Sequence, residues 1–170
     1  EMQKAISIFE DVLALARKTK HTVQISGAML SLGECYRLLG EWEKSLQYST
    51  EALDIAKKLG EYQFSGNSIF CLGELFMEME DFSEAEKYFK EADNIYEKAE
   101  ETTAKFTDTF PALSKLYLKK GEIEKAKELI EKTYDHATKT KNRLLISYAE
   151  MLKALLSREQ KNWEQSIEHF

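Results

Sequence analysis

Proline occurs once and glycine seven times in the 170 residues. So few turn formers leave little room for strands or long loops, and nearly all of the chain is expected to be helix. Cysteine occurs twice, at Cys35 and Cys71, far apart and in no metal-ligand spacing. Both read as buried thiols of a reducing compartment rather than a disulfide framework. Positive charge is in deficit. Against 30 Asp and Glu stand 24 Lys and Arg, a net charge of -6, which repels phosphate backbones and argues against a nucleic-acid partner. No run reaches the roughly 18 apolar residues needed to span a bilayer, and no signal peptide opens the chain. A cytoplasmic protein without a membrane partner is therefore expected. His21, His136 and His169 lie far apart and read as surface or helix-end residues. No phosphate-cradling glycine loop, nucleophile elbow or zinc pair is present. No enzyme activity, metal or cofactor is expected.

What the chain has instead is self-similarity. Leu32-Gly33-Glu34-Cys35-Tyr36 recurs forty residues later as Leu72-Gly73-Glu74-Leu75-Phe76. Glu41-Trp42-Glu43-Lys44-Ser45 recurs as Asp81-Phe82-Ser83-Glu84-Ala85, as Glu122-Ile123-Glu124-Lys125-Ala126 and as Asn162-Trp163-Glu164-Gln165-Ser166. A fixed period of this length means a stacked array, each unit burying its apolar face only against its neighbours.

The clearest unit runs from Thr22 to Leu59. Its first helix carries Val23, Ile25, Met29, Leu32, Tyr36 and Leu39 at close to a 3.6-residue period. Gly33, in mid-helix, implies a helix crossing close above it. Gly40 and Gly60 stand where helices end. The next unit lacks a glycine in its inner turn and offers Asp81 as an N-cap. About nine helices of roughly 16 to 19 residues are expected, joined by turns short enough to force antiparallel neighbours. The unit boundaries fall at about 21–60, 61–101 and 102–141, with partial units at 1–20 and 142–170. The chain opens in a second repeat helix and closes within another, so a longer parent protein is expected. Helix faces near Ile6, Phe9 and Leu13, and near Trp163, Ile167 and Phe170, would then lack neighbours and promote self-association. Pro111 falls inside the first helix of the third unit. Its missing N–H and its ring should break or bend that helix, or restart it on the oxygens of Thr107, Asp108 or Thr109.

Leu32, Gly33, Tyr36, Gly40, Trp42, Ser45 and Ala52, with Phe82, Ala85, Phe89 and Ala92 one unit on, resemble the tetratricopeptide repeat family in its long, forty-residue form. The resemblance implies an all-α, right-handed superhelical solenoid of antiparallel helix pairs. It also implies a concave wall built from the first helix of each unit. Placed on that wall are Leu30, Glu34 and Arg37, then Asn67, Phe70, Glu74 and Met77, then Asp108 and Lys115, then Tyr148 and Met151. Two readings stay open. Either these residues pack against neighbouring helices, or they line a peptide groove in which Asn67 bonds a ligand backbone and Arg37 a carboxylate. Phe70 separates the two, because only the packing reading buries it. The carboxylate clamp of chaperone-binding relatives is absent, its positions being held by Leu30, Glu34, Cys71, Asp108 and Ala112. The function implied is a protein–protein interaction module, a scaffold or adaptor. The alternative is a sensor or regulatory domain of a larger signalling or transcription-regulating protein.

Overall fold

The computed structural model of the chain describes residues 1–100 and 104–168, without the side chains of Phe106 and of residues 162–168. It is all helix: α1 Met2–Thr19, α2 Thr22–Leu38, α3 Trp42–Leu59, α4 Tyr62–Glu78, α5 Phe82–Lys98, a π-helical turn Lys105–Thr109, α6 Phe110–Lys119, α7 Ile123–Lys139 and α8 Arg143–Glu168. The chain divides into two compact units, Glu1–Glu101 and Thr102–Phe170.

One closing device recurs at the helix ends. Lys20, Gly40, Gly60, Glu80, Glu100, Gly121 and Lys141 all take positive φ, between 53° and 74°. After six of these turns the next backbone N–H reaches back to a carbonyl of the helix just ended: His21 to Ala16, Glu41 to Tyr36, Glu61 to Ala56, Asp81 to Phe76, Glu122 to Tyr117 and Asn142 to Ala137. This is the Schellman closure, which satisfies carbonyls that a helix end otherwise leaves orphaned. Three of the seven positions are glycine, which takes the left-handed conformation without steric cost. Asp81 and Asn142 add side-chain caps, accepting from Glu84 N at 3.1 Å and Leu145 N at 3.2 Å.

In the first unit α2 lies between α1 and α3. Ile6 and Leu13 of α1 and Ala52 of α3 join Ala28, Met29, Leu32, Cys35 and Tyr36 in one core, with Phe9, Leu30, Tyr48 and Ile55 packed at its edge. Tyr36 stacks on Tyr48, ring centroids 5.5 Å apart, and Phe76 repeats the stack on Tyr88 at 5.3 Å. The mid-helix glycines are contact points. A Cβ on Gly33 would lie 2.6 Å from Ser49 Oγ, and one on Gly73 2.6 Å from the Phe89 ring. The burial of Ile6 and Leu13 corrects the expectation that these residues lack neighbours. The uncovered stripe of α1 lies beside them, at Ile8, Val12 and Leu15. Trp163, Ile167 and Phe170 lie outside the residues whose side chains are described.

In the second unit α6 and α8 pack against α7. Pro111 is buried in the first turn of α6. The helix neither stops nor restarts on a side-chain cap there. Ala104, Thr109 and Phe110 keep right-handed helical dihedrals, and the ladder widens into the π turn just upstream. That loosening accommodates a ring that would crowd an α turn. A second difference lies at the end of the chain. The repeat places a turn at Lys161-Asn162, yet α8 continues through it as a 26-residue helix. Gln160 and Lys161 are good helix formers, and no glycine stands where Gly40 and Gly121 close the earlier first helices.

Candidate functional site

The first helices of consecutive repeats, α2 and α4, touch directly. The most concentrated polar chemistry of the first unit lies where they do. Arg37, 9% exposed, sits among three carboxylates. Its Nη2 is 2.6 Å from Glu34 Oε1 and 3.2 Å from Glu74 Oε2, its Nε donates to Glu34 Oε2 at 3.0 Å, and its Nη1 donates to Glu78. Burial works against the guanidinium charge, but the hydrogen bonds Arg37 donates to Glu34 and the charges of Glu74 and Glu78 outweigh it and push the pKa above its ordinary value. Arg37 therefore ties α2 to α4, and the cluster as a whole is acidic.

Toward the start of α4 lies a second feature. Tyr96 of α5 is fully buried, and its hydroxyl donates to Asn67 Oδ1 at 2.8 Å. The ring packs on Gly66, where a Cβ would sit 2.5 Å from Cε1. Asn67 is half-buried, and its amide nitrogen makes no hydrogen bond to the described residues. A buried phenol thus anchors one end of the amide and leaves two donors at the other. Phe70, one turn on, is half-buried with its ring 5.5 Å from that of Phe89. Met77 is half-buried near the end of α4, and Leu30 packs at the edge of the α2 core.

The remaining expected wall residues fall in the second unit. Lys115 of α6 places Nζ 5.0 Å from the ring centroid of Tyr148 on α8, a cation–π contact between two first helices. Met151 is exposed on α8. Asp108, in the π turn, is half-buried; burial pushes its carboxyl above the ordinary range, partly offset by a hydrogen bond from Thr107. No group of three or more potential metal ligands occurs among the described residues, and no described helix is long and apolar enough to cross a membrane.

Sequence reasoning missed Tyr96 and Glu78. A signal for Tyr96 existed. Ser26 and Ala56 of one repeat become Gly66 and Tyr96 in the next. The first helix loses its side chain where the second gains a large ring, a volume exchange across one helix pair. Glu78 gave no such signal, because a glutamate at a helix end reads as solvated.

Paired antiparallel helices with a shared closing turn and glycines at the crossings define a helical-repeat protein. The tetratricopeptide repeat model matches residues 1–58 and 24–98, and the chain belongs to that family. Response regulator aspartate phosphatase A of Bacillus subtilis (strain 168) is 26% identical over 134 residues, which is 79% of this chain and 35% of that protein. The chain thus spans about a third of the length of this curated relative. Aspartyl phosphate phosphatase F from Bacillus subtilis superposes with a TM-score of 0.74 at 17% identity, over 99% of this chain and 43% of that one. A Rap protein complexed with competence and sporulation factor gives 0.74 at 18%, over 100% and 54%. A Podosopora anserina putative kinesin light chain with nearly identical TPR-like repeats gives 0.64 at 18%, over 96% and 84%. These structures share the fold.

Proposed function

We propose that this segment is a non-catalytic protein–protein interaction module that binds an extended peptide or protein segment across the first-helix face, as a cytoplasmic scaffold or adaptor. The observation that carries it is the Tyr96–Asn67 pair. A fully buried hydroxyl holds an amide whose nitrogen makes no hydrogen bond to the described residues, beside half-buried Phe70 and Met77. Such an amide suits the carbonyls of an extended backbone, and apolar side chains next to it give the ligand a place to bury its own. Leu30 and, in the second unit, Lys115, Tyr148 and Met151 belong to the same kind of wall. The complex of a structural neighbour with competence and sporulation factor supports the reading. Arg37 takes a different role from the one its type suggests. Its donors face Glu34, Glu74 and Glu78, so a ligand carboxylate would meet three carboxylates there, and Arg37 acts by holding α2 to α4.

A second reading places the array as the regulatory domain of a larger signalling protein. The likeness to a response regulator aspartate phosphatase favours it. The two readings share the peptide-binding face and differ in what the occupied face does. Selection from a displayed library of random peptides tests the face itself. Selected peptides should lose about tenfold in affinity, roughly 1.4 kcal/mol, on Asn67→Ala, with the melting temperature unchanged. Peptides indifferent to Asn67→Ala would remove this face from the function.

A further inference from the structure

The repeat is forty residues long until the third unit, where it gains one. Lys20, Gly60 and Glu100, the left-handed residues that close the second helices, stand forty apart, but Lys141 stands forty-one after Glu100. Those that close the first helices, Gly40, Glu80 and Gly121, show the same step. Leu72 and Leu113, Leu75 and Leu116, and Gly73 and Ser114 are buried equivalents at the longer spacing. The extra residue therefore lies between Glu100 and Leu113. The departure from α geometry that the described residues show in that window is the π turn Lys105–Thr109. A π turn closes its ring over five residues rather than four, so it absorbs one residue without stopping the helix.

We propose that this turn holds one inserted residue, pinned by Pro111, and thereby sets Asp108 rather than Thr107 at the groove position that Asn67 holds one repeat earlier. Three observations carry it. First, Thr109 then falls at the position of Ser68. Both are fully buried, and each hydroxyl donates to the carbonyl four residues back, Ser68 to Phe64 at 2.9 Å and Thr109 to Lys105 at 3.1 Å. Second, the partners change in step. Tyr96, which fills the space over Gly66, becomes fully buried Ala137 on α7, and the π turn packs against α7. Third, the residue that can neither donate to an α ladder nor tolerate a close carbonyl four residues back stands just downstream of the widened ring, at Pro111. The consequence is chemical: this repeat offers an acceptor-only carboxylate where the preceding one offers an anchored amide.

The assignment of a groove position rests on the proposed function, but the insertion and its pinning do not, and their test needs no ligand. Removing Thr107 together with Pro111→Ala, which takes away the ring that would crowd an α turn, should restore an unbroken α-helix with Asp108 still in place. The protein should melt within about 5 °C of the parent, and amide exchange over 109–113 should slow to the level of α4. Removing Asn67 from α4, which has no spare residue, should lower melting by more than about 10 °C, because the two halves of that helix would be turned roughly 100° out of register. Equal losses in the two deletions would overturn the insertion. Pro111→Ala keeps the chain length and should leave melting near that of the parent while broadening the amide resonances of 105–112, as the inserted residue moves along the helix. Sharp, unshifted resonances in Pro111→Ala would overturn the pinning. In the Thr107 deletion the Asp108 carboxyl should still titrate above the ordinary range, and a fall to the ordinary value would overturn its placement.

Discussion

Two glycines in neighbouring first helices separate conformational cost from steric need. A Cβ on Gly27 would lie 3.7 Å from Phe64 Cε1, an ordinary contact, whereas one on Gly66 would lie 2.5 Å from Tyr96 Cε1. Gly27→Ala should then raise stability by about 0.5–1 kcal/mol through helix propensity. Gly66→Ala should lower it by about 1–3 kcal/mol by forcing the buried phenol aside. Chemical denaturation of the two variants checks both signs, and a loss at Gly27 would show that α2 is more tightly covered than its contacts indicate. Asp108 provides a pH test. Folded, it keeps its proton to higher pH than in the unfolded chain, so its ionisation costs the folded state stability as pH rises above the ordinary carboxylate value of about 4. Asp108→Asn should raise the melting temperature at pH 7 and leave it unchanged at about pH 3, where both side chains are neutral. A benefit that persists at low pH would assign the effect to something other than charge burial.

At the scale of elements, the helix pairs were largely legible in the sequence, since a glycine or an apolar stripe repeated every forty residues carries its own spacing. Gly33 was read as a crossing point, and both it and its repeat Gly73 are. What stayed hidden was how unlike residues fill like positions. Glu80, Glu100, Lys20 and Lys141 close helices in the conformation glycine favours, with no glycine to mark them. The π turn was read only as a break at Pro111, because a sequence shows the residue that cannot fit but not which turn will widen. The residues expected on the first-helix wall were named from the sequence, but the bonds among them were not legible there. Arg37 was read as a ligand donor, and the structure gives it Glu34, Glu74 and Glu78. Phe70 was framed as either groove or core; it is half-buried, with its ring against that of core residue Phe89. Tyr96→Phe isolates the α4–α5 pair. It should keep the packing on Gly66, cost about 1 kcal/mol for the lost hydrogen bond, and weaken peptide binding by leaving the Asn67 amide unanchored. Titration calorimetry alongside thermal melting separates the two effects; full affinity in Tyr96→Phe would show that the anchor is structural only.

For the molecule as a whole, the repeat accounts for why one chain can be stable and still leave a face available. Each helix pair closes its own turn, and the first two pairs bury a glycine crossing at Gly33 and Gly73, so the residues of the α2–α4 face are not all committed to the core. Asn67 is the sharpest instance, half-buried and held by a buried phenol, with an amide nitrogen that makes no hydrogen bond to the described residues. The most direct measurement of the central claim follows the side-chain NH2 resonances of Asn67 by heteronuclear NMR while a library-selected peptide is added. The account predicts that these two protons shift and become protected from exchange at saturation, along with amides of α2 and α4. Unmoved Asn67 resonances, with the shifts gathered instead on the outward faces of α3 and α5, would contradict it.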